Sequence, residues 1–356
     1  MKCVRPDDYD QFQCLAGGCP NTCCAAWEIV IDPAAQDRYL RLHHPLGQKL
    51  RAVMRVDGDG DTYFAQENGA CPFLCADRLC ELQRTLGEAV LCDTCREFPR
   101  YTVWLYDRVE QGLSLACPQA ARMLLARTEP LRLAETPLPD DGYIPTAREK
   151  RLTDLLTALR AQMLDLLSRP AHTVSENLAA ALQSAARMQR LLDRHRLRAL
   201  EAPLAPAVTR STAAPPRPAD FVRVFRTLEP LEARWPPLCE RMATLPAFPP
   251  VKLPPLQQTL LAQQIILRYW MDALDDRDVL FSVRYAAVSL LTLGCLTALA
   301  EDAPDALLVQ YTREMENSPV NLARLHAALR TDPVFSDAAL GAALLSESFY
   351  YQEESL

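Results

Sequence analysis

The chain has 356 residues, enough for two or three domains. Nearly half of them (49%) are apolar and 23% are charged, which excludes a disordered chain. The net charge is −7 with both signs spread along the sequence, so the basic stripe that nucleic-acid binding needs is absent. The start, MKCVRPDDYDQF, lacks the apolar core of a signal peptide.

In chain order, the first 127 residues are turn-rich and mixed. Trp27 to Asp32 (WEIVID) alternates large apolar residues with others and predicts a short strand. Short helices are expected after Cys80 (ELQRTLGE) and after Cys117 (PQAARMLLAR), and Tyr101 to Leu115 reads as a hairpin around a polar centre. Residues 128–146 read as a linker.

From residue 147 to 356 the pattern is helical. Apolar residues at 152, 155, 156, 159, 163, 166 and 167 form one helix face, and Pro170 ends it. A second helix is expected over 175–199, then Pro-rich breaks at 202–218 and 246–255. Further helices are expected near 256–275, 279–300, 304–316, 319–330 and 336–350. Ser318-Pro319 is an N-cap followed by Pro at the first helical position. The uncharged run Tyr285 to Ala300 has 16 residues, short of the ~20 that span a bilayer, and reads as a buried core helix rather than a transmembrane segment. The fold class expected is mainly α (α+β): a Cys-rich mixed region followed by a helical domain.

The cysteines carry the chemistry. Of thirteen, eleven (3, 14, 19, 23, 24, 71, 75, 80, 92, 95 and 117) lie in the first third; only Cys239 and Cys295 lie beyond. A chain of this length in a reducing cytoplasm is not a disulfide scaffold, and thiolates are soft ligands that suit zinc or iron–sulfur clusters, usually four to a centre. The spacings are Cys14-x4-Cys19-x3-Cys23-Cys24, Cys71-x3-Cys75-x4-Cys80, Cys92-x2-Cys95 and a separate Cys117: too many and too uneven for one zinc site. Neighbouring side chains diverge on an extended chain. Adjacent Cys23 and Cys24 therefore point either to two centres or to one ligand beside a packed neighbour. Cys80 and Cys117 sit where a following helix would start, and a helix N-terminus favours an anionic ligand set. His43 and His44 lie outside any cysteine spacing and read as surface positions.

Near the thiols, Asp32, Glu88 and Asp93 are the candidate acids and bases. Arg96 and Arg100 are candidate anion anchors, and Trp27, Tyr101 and Trp104 are rings that could stack on an adenine. Each has a commoner use as a cap, an ion pair or strand-core packing. Tyr269-Trp270 and Arg284-Tyr285, on predicted helices, read as packing.

Three stretches carry a resemblance: FQCLAGGCPNTCCAAWEIVID (12–32), ACPFLCADRLCELQRTLGEAVLCDTCREFPR (70–100) and SLACPQAAR (114–122). Together they resemble the flagellin lysine N-methylase (FliB) family over roughly the first 125 residues. The motif positions of that family fall on Cys14, Cys19, Cys23, Cys24, Cys71, Cys80, Cys95 and Cys117, while Cys3, Cys75 and Cys92 are additions. The resemblance implies one or two iron–sulfur (4Fe-4S) clusters, S-adenosylmethionine as methyl donor, flagellin lysines as substrate and a cytoplasmic location. Asp32 and Glu88 would then be the catalytic candidates, with Trp27, Arg96, Arg100 and Tyr101 as donor-binding candidates. Zinc is the alternative metal. The rival readings are a non-catalytic zinc- or iron-binding module joined to a helical partner-binding domain, and a radical S-adenosylmethionine-type enzyme with another substrate. The chain has neither a Gly-rich strand–loop–helix nor the C-x3-C-x2-C spacing of radical S-adenosylmethionine enzymes.

Overall fold

The computed structural model describes residues 1–25, 27, 29–58, 60–139, 142–200 and 212–346. The N-terminal part contains β1 (Lys2–Pro6), α1 (Pro33–Arg41), α2 (Pro45–Val53), β2 (Met54–Val56) and β3 (Thr62–Phe64). Then come α3 (Glu81–Leu86), α4 (Asp93–Glu97), β4 (Arg100–Trp104), β5 (Arg108–Leu113), α5 (Pro118–Ala126) and β6 (Leu133–Pro137). The helical part follows as α6 (Ala147–Leu167), α7 (Val174–Asp193), α8 (Pro218–Phe225), α9 (Trp235–Ala243) and α10 (Pro255–Tyr269). It ends with α11 (Leu280–Leu299), α12 (Pro304–Glu316), α13 (Pro319–Thr331) and α14 (Asp337–Leu344). The architecture is mainly helical α+β, as the patterning predicts.

Proline sets many of the boundaries. With its fixed φ and missing N–H it opens α1, α2, α5, α8, α12 and α13, where the first N–H groups have no intrahelical partner anyway. The Pro-rich break expected over 202–218 leads into α8 at Pro218 and that over 246–255 into α10 at Pro255, and residues 201–211 lie outside the described residues. Capping boxes at Thr146/Glu149 and Thr173/Glu176 start the two long helices α6 and α7. The expected helix over 175–199 stops at Asp193, where His195 takes a positive φ, and a short 3-10 turn covers Leu197–Leu200. The helix expected over 336–350 runs to Leu344, and residues from 347 onward lie outside the described residues.

The predicted hairpin is β4–β5, paired from Arg100↔Leu113 to Trp104↔Val109. It belongs to a four-stranded sheet of order β4-β5-β1-β6, in which β1 runs parallel to β5 and antiparallel to β6. Residues 128–146, expected as a linker, thus supply an edge strand. The strand expected over Trp27–Asp32 does not form a ladder. Val30 makes a single bridge to Tyr63, with Ile31 N–H donating to Thr62 and Phe64 N–H to Ile29. Asp32 then leaves the extended path to cap α1, and residues 26 and 28 lie outside the described residues.

Three apolar clusters result. One lies under the cysteines (Ile29, Ile31, Tyr39, Leu50, Phe64, Phe73), a small one holds Tyr9, Phe12 and Leu113 beside Cys117, and the largest fills the helical part. Helix α11 is apolar all round and buried within the helical core. By length and composition it would also cross a membrane, but its apolar surface is already covered by protein.

The sheet is tied to the helices by charge. Glu110 on β5 is buried, accepts two hydrogen bonds of 2.6 Å from Arg160 of α6 and lies 2.7 Å from Arg108 Nε. Burial pushes the Glu110 carboxyl up, and the two guanidiniums more than offset it, holding it below the usual carboxylate range. Removing Arg160 would leave the buried carboxylate with Arg108 alone and two of its three hydrogen bonds lost. Arg160→Leu should therefore lower unfolding stability by about 3–5 kcal/mol, measured by denaturant titration. The pair Arg160→Leu with Glu110→Leu should recover much of that, and a loss in the single variant below about 1 kcal/mol would contradict the assignment.

Candidate metal centre

The thiols converge from four chain segments, and local structure explains each approach. The 14–19 loop turns over Gly17 onto the 75–80 loop. A Cβ at Gly17 would stand 2.9 Å from the Asp77 carbonyl oxygen, so only glycine allows that contact. Arg78 donates to Pro20 O at 3.1 Å and reinforces it. Cys24 O accepts from Cys71 N–H at 2.7 Å, joining the first segment to the second. Asp32 joins the third: its carboxylate accepts from Ala35 N–H and Asp93 N–H, both at 2.8 Å, and so ties the start of α1 to that of α4. Cys80, Cys92 and Cys117 occupy the N-cap positions of α3, α4 and α5.

The result is two sets of thiols. Cys23 lies within electrostatic reach of Cys14 and Cys117, and Cys117 of Cys14 and Cys19. On the other side, Cys71 and Cys80 both feel Cys24, and Cys95 feels Cys24, Cys71 and Cys92. The first set is Cys14, Cys19, Cys23 and Cys117. The second is Cys24, Cys71, Cys80 and Cys95, with buried Cys92 hydrogen-bonded to Cys95. They meet at Cys23 and Cys24, whose thiols act on each other.

Their mutual interaction raises Cys23 and lowers Cys24 to about 7, against the burial of the latter. Burial pushes Cys71 up to about 12 and also raises Cys80 and Cys117, although N–H groups of the following helices oppose it at the last two. Beneath the second set stands Tyr39, its phenol raised by burial and by the Cys92 and Cys95 sulfurs. All thirteen cysteines are without disulfides.

Thiolates are the ligands iron–sulfur clusters take, one per iron, and these eight are the residues that would hold such a group. The arrangement does not fit a single ion as it stands. Among the described residues no three Cys, His, Asp or Glu side chains are grouped as an ion ligated at about 2.3 Å by sulfur requires.

The other expected residues are placed as follows. Asp32 is a cap: burial raises its carboxyl, and the Asp93 and Ala35 N–H groups with Arg38 bring it below the usual range. Glu88 faces solvent on the 3-10 turn Glu88–Val90. Arg96 pairs with Asp93 and Glu97 at the surface. Arg100 lies over the rings of Phe12, at 5.1 Å, and Tyr9, at 6.0 Å. Trp27 packs on Phe98 at 5.2 Å and donates its Nε1–H to Cys23 O. Tyr101 lies under the Arg268 guanidinium at 4.8 Å, its phenol pushed up to about 12 by burial. Its ring rests on Gly112 of β5, where a Cβ would approach to 2.3 Å. Trp104 is exposed at the far end of β4, and His44 caps α2 through Nδ1. Tyr269 and Tyr285 are buried in the helical core around Glu316. So Trp27 is beside the thiols, while Tyr101 and Trp104 are directed elsewhere. Cys92, outside the motif positions, is fully buried beside Cys95.

Thiols held above their ordinary value keep their protons until a metal displaces them, so loading must release protons. Reconstitution of the metal-free chain with ferrous iron and sulfide should therefore incorporate more iron at pH 9 than at pH 7, with acid released on loading. Uptake independent of pH would contradict these thiol assignments.

Three curated relatives match over 138 residues, 37% of this chain. The Lysine-N-methylases of Salmonella typhimurium (30% identical) and Salmonella choleraesuis (31%) are each covered over 34% of their length. The flagellar biosynthetic protein FliU of Salmonella muenchen, 31% identical, is covered over 82%. The matched stretch thus spans about a third of the two lysine-N-methylases. No family model and no solved structure matches the chain. The cysteine pattern and its match to most of FliU show that the chain belongs to the FliB-like lysine-N-methylase family.

Proposed function

We propose that the chain is a cytoplasmic, S-adenosylmethionine-dependent protein-lysine N-methyltransferase that acts on flagellin and holds two iron–sulfur clusters. The observation that carries this reading is the sorting of all eight motif cysteines into two sets of four around Cys23 and Cys24. The names of the relatives support lysine as the target and a flagellar context for the substrate.

With a thiolate for every iron, bound clusters would supply redox centres and leave the donor's amino-carboxylate to be held by protein groups. In the transfer itself the lysine nitrogen bonds the methyl carbon, the carbon–sulfonium bond breaks, and the amine's proton leaves. That amine must first be neutral, and an unperturbed lysine titrates near 10.4. The protein's task is in-line placement and desolvation.

Within this reading Trp27 is the ring we assign to the donor's adenine, because it is half-buried beside Cys23 and fixed through its Nε1–H. Arg100 and Tyr101 frame the strand that leaves the cysteine region, Arg96 supplies surface charge, and Asp32 positions α1 and α4. Glu88 is the solvent-facing carboxylate available to accept a proton.

The test is anaerobic incubation of the full chain with flagellin and methyl-labelled donor, followed by peptide mass spectrometry. Label should appear on flagellin lysines. Trp27→Ala should raise the KM for the donor about tenfold, the size expected for loss of one stacked base. Absence of lysine label with the cluster-loaded wild type would overturn the reading.

A further inference from the structure

One contact joins the helical part directly to the pair of adjacent cysteines. Arg313 of α12 is 2% exposed and reaches almost 300 residues back along the chain. Its Nη2 donates to Ala25 O at 2.6 Å and its Nη1 to Asn21 O at 3.5 Å. Asn21 and Ala25 bracket Cys23 and Cys24. The carbonyls between are held too, Cys23 O by the Trp27 indole and Cys24 O by Cys71 N–H. With the backbone fixed at both ends and in the middle, the two thiols cannot exchange neighbours by rotating the chain.

Arg313 is itself held. Glu232 Oε1 lies 3.6 Å from its Nε, and the turn bearing Glu232 is fixed by the next residue of α12. Glu314 accepts from Leu231 N–H at 2.9 Å and from Glu232 N–H at 2.8 Å. Asn321 of α13 closes the arrangement, donating to Glu314 O at 2.9 Å and to Glu229 O at 2.8 Å. Only a planar fork of donors grips two carbonyls four residues apart, which a lysine ammonium cannot do.

We propose that Arg313 is a positioning residue that keeps Cys23 in one thiol set and Cys24 in the other, so that the helical part governs how the cysteines are divided. This rests on the two-set arrangement, and it is tested without iron so that it stands or falls apart from the cluster assignment. In the metal-free full chain, dibromobimane bridges neighbouring thiols, and the bridged pairs are mapped by peptide mass spectrometry. Cys24→Ser and Cys23→Ser backgrounds remove the link between the adjacent thiols themselves.

With Arg313 intact, Cys23 should be bridged to Cys14, Cys19 or Cys117, and Cys24 to Cys71, Cys80 or Cys95. Arg313→Met should raise the fraction of bridges between the sets several-fold, with circular dichroism confirming the fold. Arg313→Lys keeps the charge but reaches only one carbonyl, so it should give intermediate sorting and guards against an unfolded Arg313→Met. Wild-type sorting in either folded variant would overturn the proposal.

Discussion

The arrangement depends on two thiols that are neighbours in the chain and perturb each other's protonation. Cys23 and Cys24 sit where two groups of cysteines meet, and each has its remaining company on its own side. A backbone free to rotate there would mix the groups. It is not free: carbonyls from Asn21 to Ala25 are held by a guanidinium, an indole and a cross-chain amide. The cost of burying the Arg313 cation is offset by those carbonyls and by Glu232 nearby.

The rest of the fold follows as support for that junction. The apolar cluster of Ile29, Ile31, Tyr39 and Phe64 gives the second thiol set a floor, and Asp32 locks α1 to α4 so that Cys92 and Cys95 arrive together. The sheet supplies the base from which Cys117 enters, and Glu110 with Arg160 fixes it to the helical part. Gln264 adds a second link, donating to Leu113 O at 3.1 Å. The helical part is thus more than a separate lobe: Arg313, Gln264 and Arg160 all reach into the region that carries the cysteines.

Much of this was legible in the sequence, for physical reasons. The hairpin showed itself because its strands are adjacent and β-prone. Helix α6 showed itself by its apolar periodicity, α11 by its uncharged apolar run and α13 by Ser318-Pro319 at its start. The cysteine groups stood out by density, and adjacency at Cys23 and Cys24 posed the question of two centres. What stayed hidden depends on partners far away in the chain. Strands β1 and β6 are short and gain their identity only by pairing with β5 and each other. Asp32 read as a catalytic candidate because its two backbone donors, Ala35 and Asp93, are brought together only by the fold. Arg313 is one arginine among many in a helical pattern, and nothing local links it to a carbonyl nearly 300 residues earlier.

The most direct test of the division is iron and sulfide analysis of anaerobically purified Cys23→Ser and Cys24→Ser chains beside the wild type, with electron paramagnetic resonance of the reduced samples. The account predicts that each variant loses about half of the iron and sulfide, and that the signal surviving in one is the signal lost in the other. Identical losses and identical residual spectra in the two variants would show that both thiols serve one centre, and zinc without sulfide in the wild type would show that neither serves an iron–sulfur cluster.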